Sequence, residues 1–140
     1  MIVSGDTGFY SLLSFLRKSY SREELNVIPG ISSYQYLFSR IGEVWQDYKL
    51  LSVHGREAEY VEIFSKERGI VLLTDNINTP YVIAKNIYEA GYRDVEIVVG
   101  ERLSYPDEKI TFVDIEEYKK LNREFSMNIV VVRRGNNGNK

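Results

Sequence analysis

Apolar positions along the chain follow two rhythms, a helical one and a strand-like one, and they take turns. Met1-Ile2-Val3 reads as a β-branched strand opening, Gly5-Asp6-Thr7-Gly8 as a tight turn, and Phe9, Leu12, Leu13 and Leu16 as the buried stripe of a helix that runs to Arg17-Lys18, where cations suit a helical carboxyl end. Leu25-Asn26-Val27-Ile28 alternates as a short strand stopped by Pro29-Gly30. After it, Ser32 or Ser33 caps a helix with the apolar face Tyr34, Leu37, Phe38 and Ile41, and Gly42 ends it. Leu50-Leu51-Ser52-Val53 is a further strand running into His54-Gly55-Arg56, and the Glu-rich stretch 57–66 carries Tyr60, Val61 and Phe64 on one helical face.

Beyond residue 68 the alternation is cleaner: strand 70–74, helix 80–90, strand 95–99, strand 110–113, helix 115–122, strand 129–132. Thr79-Pro80 is a cap followed by proline at the first helical position, Gly91 closes that helix, and Asp114 with Glu116 and Glu117 favours the positive end of the next. Strands alternating with helices predict an α/β class, with mostly parallel sheets flanked by helices and an antiparallel edge where Ile110 follows a loop instead of a helix. The pattern divides the chain into residues 1–54, residues 55–134 and a tail, 135–140, that has no apolar anchor and is expected to be mobile.

Composition changes this picture mainly by exclusion. At 140 residues about 68% of the unfolded surface can be buried, so a real core is available. A hydrophobic share of 44%, with 18 Lys and Arg against 20 Asp and Glu, excludes disorder and offers no general attraction for a polyanion, so no nucleic-acid partner is expected. The absence of Cys and the single His54 remove disulfide scaffolds, thiolate chemistry and every metal motif that needs two imidazoles. Apolar runs such as Ile70-Val71-Leu72-Leu73 are strand-length, and the opening residues do not form a signal sequence, so no membrane partner and a soluble, cytoplasmic protein are expected. Eleven tyrosines suit surfaces that are apolar along the ring and wet at the hydroxyl.

Polar segments sit where strands end, at 4–10, 29–33, 52–56 and 74–80, and the first three carry glycine. In open α/β sheets ligands lie outside the carboxyl ends of strands. Glycines there admit a ligand close to the backbone, and Asp, Ser, Thr and Asn supply hydrogen bonds. Each segment also has a purely structural reading: a turn with a cap at 5–8, a turn with a cap at 29–33, an ordinary loop histidine at 54 and a proline-started helix at 80. No Gly-x-x-x-x-Gly-Lys-Ser/Thr, Gly-x-Gly-x-x-Gly or Gly-x-Ser-x-Gly pattern occurs, which disfavours nucleoside triphosphatases, dinucleotide oxidoreductases and α/β-hydrolases.

Taken in order, Val3-Ser4-Gly5-Asp6-Thr7-Gly8-Phe9-Tyr10, Val27-Ile28-Pro29-Gly30-Ile31-Ser32-Ser33-Tyr34-Gln35, Trp45-Gln46-Asp47 with Leu51-Ser52-Val53-His54-Gly55-Arg56, Leu73-Thr74-Asp75 with Thr79-Pro80, and Gly100-Glu101-Arg102-Leu103-Ser104-Tyr105-Pro106-Asp107-Glu108 resemble the tetrapyrrole (precorrin) methylase family. The resemblance runs to about Arg133. It implies a two-domain α/β fold with S-adenosylmethionine folded in a cleft, and methyl transfer to ring carbon 5 of a precorrin or cobalt-precorrin in cobalamin synthesis. It assigns Ser4, Gly5 and Asp6 to the cofactor's amino-acid end, with Asp6 as a positioning residue. It further assigns Ser32 and Ser33 to a second contact loop, His54 to an interdomain contact and Ile77 to a looser backbone contact. Arg56, Arg102 and Lys109 near these loops are candidate partners for the substrate's carboxylates, arginine being favoured by its bidentate fork. The family's opening glycine-proline loop has no counterpart here, so the first strands of the amino-terminal domain are expected to be missing. The sheet edge this would expose suggests a homodimer, and a carbon-15 methylase is a candidate partner. Two other classes fit the same loops: a non-catalytic α/β ligand-binding or interaction module, and a flavodoxin-like nucleotide or phosphate binder.

Overall fold

The computed structural model describes residues 13–26, 30–52 and 59–135. The expected strand at 1–3, the loop at 4–10, the segment 53–56 and the tail beyond 135 lie outside the described residues. The chain divides into two compact units, Met1–Glu43 and Val44–Lys140. The strand at 48–52 pairs within the second unit's sheet.

In the first unit, α1 (Leu13–Ser19) ends in Arg17 and Lys18, the cationic finish expected, and a single 3₁₀ turn follows at Arg22–Glu24. Leu25 and Asn26 are not in a strand. Helix α2 (Ser33–Ile41) begins at Ser32 and ends at Gly42, whose φ of 73° is the left-handed conformation that a side chain would oppose. Its apolar stripe is the one the sequence announces: Tyr34, Leu37 and Phe38 are buried.

The second unit is a five-stranded sheet built from β1 (Tyr48–Ser52), β2 (Gly69–Leu73), β3 (Val95–Glu101), β4 (Lys109–Asp114) and β5 (Asn128–Arg134), in the order β1-β2-β5-β3-β4. Helices α3 (Tyr60–Lys66) and α4 (Pro80–Glu89) and a 3₁₀ segment, Ile115–Leu121, complete it. The last of these was expected as an α-helix. Asp114 caps it by accepting the Glu116 N–H at 2.9 Å, but Glu117, at φ −106°, leaves helical geometry, so the segment kinks.

The expectation of a mostly parallel sheet needs correction here. Only β1 and β2 pair in parallel; β2 with β5, β5 with β3 and β3 with β4 are antiparallel. Strand direction itself follows the sequence logic. Every pair of consecutive strands joined through a helical segment points the same way, and only β3 and β4, joined by a loop, reverse. What the pattern cannot show is spatial order: β5 inserts between β2 and β3, and so becomes the antiparallel neighbour of both.

One face of the sheet forms the main core. Ile70 and Leu72 of β2, Ile97 and Val99 of β3, and Val130 and Val132 of β5 pack with Phe64 of α3, Ile83 and Ile87 of α4, and Ile115 and Leu121. These strands read as near-continuous apolar runs because the opposite face is buried as well at Val71, Val98 and Val131. At Gly69 the ring of Tyr48 and the carbonyl of Val132 occupy the space that a Cβ would need, so β1 closes on β2 only because residue 69 has no side chain. Full burial of one such aliphatic side chain contributes about 1.5–3 kcal/mol. Ile97→Ala, in a strand flanked on both sides, should therefore cost about 2–5 kcal/mol once the cavity is included. Phe112→Ala, at a position 51% exposed on edge strand β4, should cost far less. Urea unfolding followed by circular dichroism compares the two, and equal losses would refute this placement of the core.

Candidate functional site

Register aligns the strand ends into a row. Ser52 pairs with Leu73, Leu73 with Ile129, Ile129 with Gly100, and Gly100 with Ile110. One residue further out the row turns polar: Asn128 faces Glu101, and Glu101 faces Lys109. The Thr74 hydroxyl continues it, lying 2.8 Å from the carbonyl oxygen and 2.7 Å from the side-chain oxygen of Asn128. This is the carboxyl end of β1, β2 and β3, the end at which α/β sheets collect ligands.

Two loops stand on that row. After β2, the Asp75 carboxylate accepts the N–H groups of Ile77 at 2.8 Å and Asn78 at 2.6 Å, and Thr79 then caps α4 by accepting the Val82 N–H at 3.3 Å. The turn buries Asn78 and leaves Ile77 76% exposed at its tip. Because Asp75 takes the Ile77 N–H, any ligand contact from Ile77 comes through its carbonyl or its side chain.

After β3, Arg102 and Ser104 adopt positive φ, 45° and 71°. Such strain in non-glycine residues persists only where surrounding bonds over-determine it. The bonds are present: Arg102 N–H to Met127 O at 2.9 Å, Ser104 N–H to a Glu108 carboxylate oxygen at 2.8 Å, and Tyr105 N–H to Arg102 O and Glu108 N–H to Tyr105 O at 3.0 Å. The Arg102 Nε donates to Asp107, 2.9 and 2.7 Å from its two carboxylate oxygens, and the guanidinium sits 4.5 Å from the Tyr105 ring centroid. This hydrogen bond, with the paired charge, holds the Asp107 carboxyl below its ordinary value of 3.8 and raises the Arg102 guanidinium.

Beneath that loop lies a buried carboxylate. Glu101 is 7% exposed, and its oxygens receive Arg123 Nη2 at 2.8 Å, Arg123 Nη1 at 3.4 Å and the Ser126 N–H at 3.2 Å. Arg123 also donates to the Glu124 carbonyl at 3.0 Å and stacks 3.7 Å from the Phe125 ring centroid.

The sequence-derived candidates thus divide three ways. Ser4, Gly5, Asp6, His54 and Arg56 lie outside the described residues. Ile77, Arg102 and Lys109 come together at one end of the sheet. Ser32 and Ser33 belong to the first unit, where Ser32 is 2% exposed and caps α2: the Gln35 side-chain oxygen accepts its N–H at 2.9 Å and its hydroxyl at 3.2 Å. Ser33, the first helical residue, is exposed. Sequence reasoning missed Asp107 as the partner of Arg102 and the pairing of Glu101 with Arg123. The first was visible as opposite charges five residues apart in a turn. The second joins positions that only the topology brings together.

Residues 1–119 match the family of tetrapyrrole (corrin/porphyrin) methylases, and the chain belongs to that family. Among curated relatives, the cobalt-precorrin-7 C(5)-methyltransferase of Salmonella typhimurium is 30% identical over 132 residues, which cover 94% of this chain and 64% of that protein. The chain therefore spans somewhat less than two thirds of that relative's length. Its fold resembles the uroporphyrin-III C-methyltransferase of Thermus thermophilus solved with S-adenyl homocysteine (TM-score 0.67, 18% identity, 92% of this chain and 60% of that one). It equally resembles a diphthine synthase (TM-score 0.69, 19% identity, 93% and 57%). The α/β class expected from the sequence is the fold these proteins share. No helix of the described residues is long and apolar enough to cross a membrane.

Two measurements probe this geometry. Ser32→Ala should destabilise α2 by about 1 kcal/mol, read as faster amide exchange at Tyr34 and Gln35, if the hydroxyl serves the cap; unchanged exchange would leave the serine free for another role. Asp107, with its folded value lowered, contributes stability that is complete above its unfolded value and is lost as pH falls through the folded one. Amide exchange of Tyr105 should therefore report an intact loop from neutral pH down to the ordinary value of 3.8 and a looser one below it. In Asp107→Asn the loop should be looser throughout and lack that acid step.

Proposed function

We propose that this chain is the greater part of an S-adenosylmethionine-dependent methyltransferase that acts on ring carbon 5 of a precorrin or cobalt-precorrin. The observation that carries this reading is the 30% identity to a protein of that activity across 94% of the chain. When bound, S-adenosylmethionine supplies a methyl group on a sulfonium, already a strong electrophile, so the protein's work is alignment more than proton transfer or covalent catalysis. Holding two reactants in line can remove about 7–11 kcal/mol of barrier, whereas one general base gives a factor of about 10²–10⁴. A chain without Cys and with one His suits that division of labour.

The roles assigned are these. Ser4, Gly5 and Asp6 hold the cofactor's amino-acid end, with Asp6 positioning the donor, Ser32 and Ser33 form a second contact loop, and His54 supplies a further contact to the cofactor. Ile77 contributes a backbone contact, through its carbonyl, since Asp75 takes its N–H. Arg56, Arg102 and Lys109 meet the substrate's carboxylates. Residues 1–54 form the remainder of the cofactor-binding domain, 55–134 the second domain and 135–140 a tail. A homodimer, a carbon-15 methylase partner and a cytoplasmic location complete the proposal.

Calorimetry with S-adenosylhomocysteine tests it. A dissociation constant on the order of micromolar supports the enzyme. No heat from a folded chain would overturn this reading in favour of a non-catalytic α/β module. Asp6→Ala should weaken binding by at least about tenfold, since a hydrogen bond to a charged group contributes about 1.5–3 kcal/mol. An unchanged affinity would remove Asp6 from the site.

A further inference from the structure

We infer that the pair of the buried Glu101 carboxylate with the exposed Arg123 guanidinium is a positioning device for Arg102, fixing the direction in which its guanidinium is offered to a ligand carboxylate; this rests on the function proposed above. Three observations converge on it. Arg102 is held at φ 45°, a conformation its own side chain disfavours, and one bond that maintains it is its N–H to the carbonyl of Met127 at 2.9 Å. Met127 is placed in turn by the segment from Arg123 to Ser126, which Glu101 ties down by taking two guanidinium nitrogens and the Ser126 N–H. Glu101 is also the residue immediately before Arg102. Its side chain therefore orders the segment that receives Arg102, while its main chain, paired with Lys109 on one side and Asn128 on the other, fixes where Arg102 begins.

An ion pair with one buried partner is weak support for stability, and the best-attested use of such groups is to specify one arrangement among several. Here the arrangement specified is a strained arginine at the ligand-collecting end of the sheet. Asp107 and Tyr105 then set the tilt of the guanidinium, which remains 39% exposed. Glu101 and Arg123 need not touch the ligand: they act through the backbone, and their effect should pass entirely through Arg102.

That dependence makes the inference testable by a double-mutant cycle. Binding of uroporphyrin III, a polycarboxylate tetrapyrrole, is followed by fluorescence quenching on the whole chain, for Arg102→Ala, Arg123→Met and the double variant, with circular dichroism as the check on folding. Because Arg123→Met leaves a carboxylate buried without its partner, Glu101→Gln is carried through the same cycle. Coupled neighbours interact by about 0.5–3 kcal/mol, so each pair variant should weaken binding about threefold or more when Arg102 is present and hardly at all when it is Ala. Equal losses in both backgrounds, or no binding of uroporphyrin III by a chain that does bind S-adenosylhomocysteine, would overturn the positioning role while leaving the methyltransferase reading intact. A folded chain that binds neither ligand would overturn both.

Discussion

The second unit depends on the insertion of β5 between β2 and β3. Without it, β2 and β3 would not be joined, the apolar runs at 70–73 and 95–99 would each lose a neighbour, and the strand ends would not form a row. The insertion has a chemical consequence. β5 runs opposite to β2 and β3, so its amino-terminal residue, Asn128, arrives beside their carboxyl ends and carries the segment 122–127 with it. An all-parallel sheet would have brought only loops that follow strands to this end. Here a segment that precedes a strand joins them, and Arg123, Ser126 and Met127 thereby reach Glu101 and Arg102.

Two ion pairs at this end share their chemistry and differ in surroundings. Arg102 and Asp107 are solvent-accessible, so water and salt weaken their attraction, and the pair is better understood as orientation of a guanidinium than as support for the fold. Glu101 is buried and its carboxylate is fully engaged, so removal of Arg123 alone would strand a charge in the interior. The Arg102 loop is thus rigid at its base and adjustable at its tip.

Much of this was legible in the sequence wherever the physics is local. Ser32 and Gly42 mark α2 because a capping side chain and a left-handed terminus are each decided within a few residues, and Thr79-Pro80 marks α4 for the same reason. Strand direction was legible too, since helix-linked strands keep their sense. Spatial order was not: nothing within the run Asn128–Arg134 distinguishes an edge strand from a central one except its near-continuous apolar character. The segment Ile115–Leu121 has helical spacing, yet it folds as a kinked 3₁₀ run, because packing on α4 and β4, not spacing, sets its path. Of the site, the loops were visible as polar breaks between apolar runs. The identity of Arg102's neighbours was not, because Met127 and Arg123 are distant in sequence.

The likeness to both a uroporphyrin-III methyltransferase and a diphthine synthase, at similar TM-scores, separates what the sheet can specify from what it cannot. The rows through Val71, Val131 and Val98 are apolar and buried, and they specify only that the sheet exists. What sets this chain apart from neighbours of the same fold must arise in the outermost row and the loops above it, where the chain places cations, strained backbone and a buried carboxylate. Strain is informative in this respect. A loop selected only to connect β3 to β4 could place glycine at 102 and 104 and relieve both positive φ values. Keeping arginine and serine there, with hydrogen bonds that hold them, is consistent with side chains whose direction matters more than the ease of making the turn.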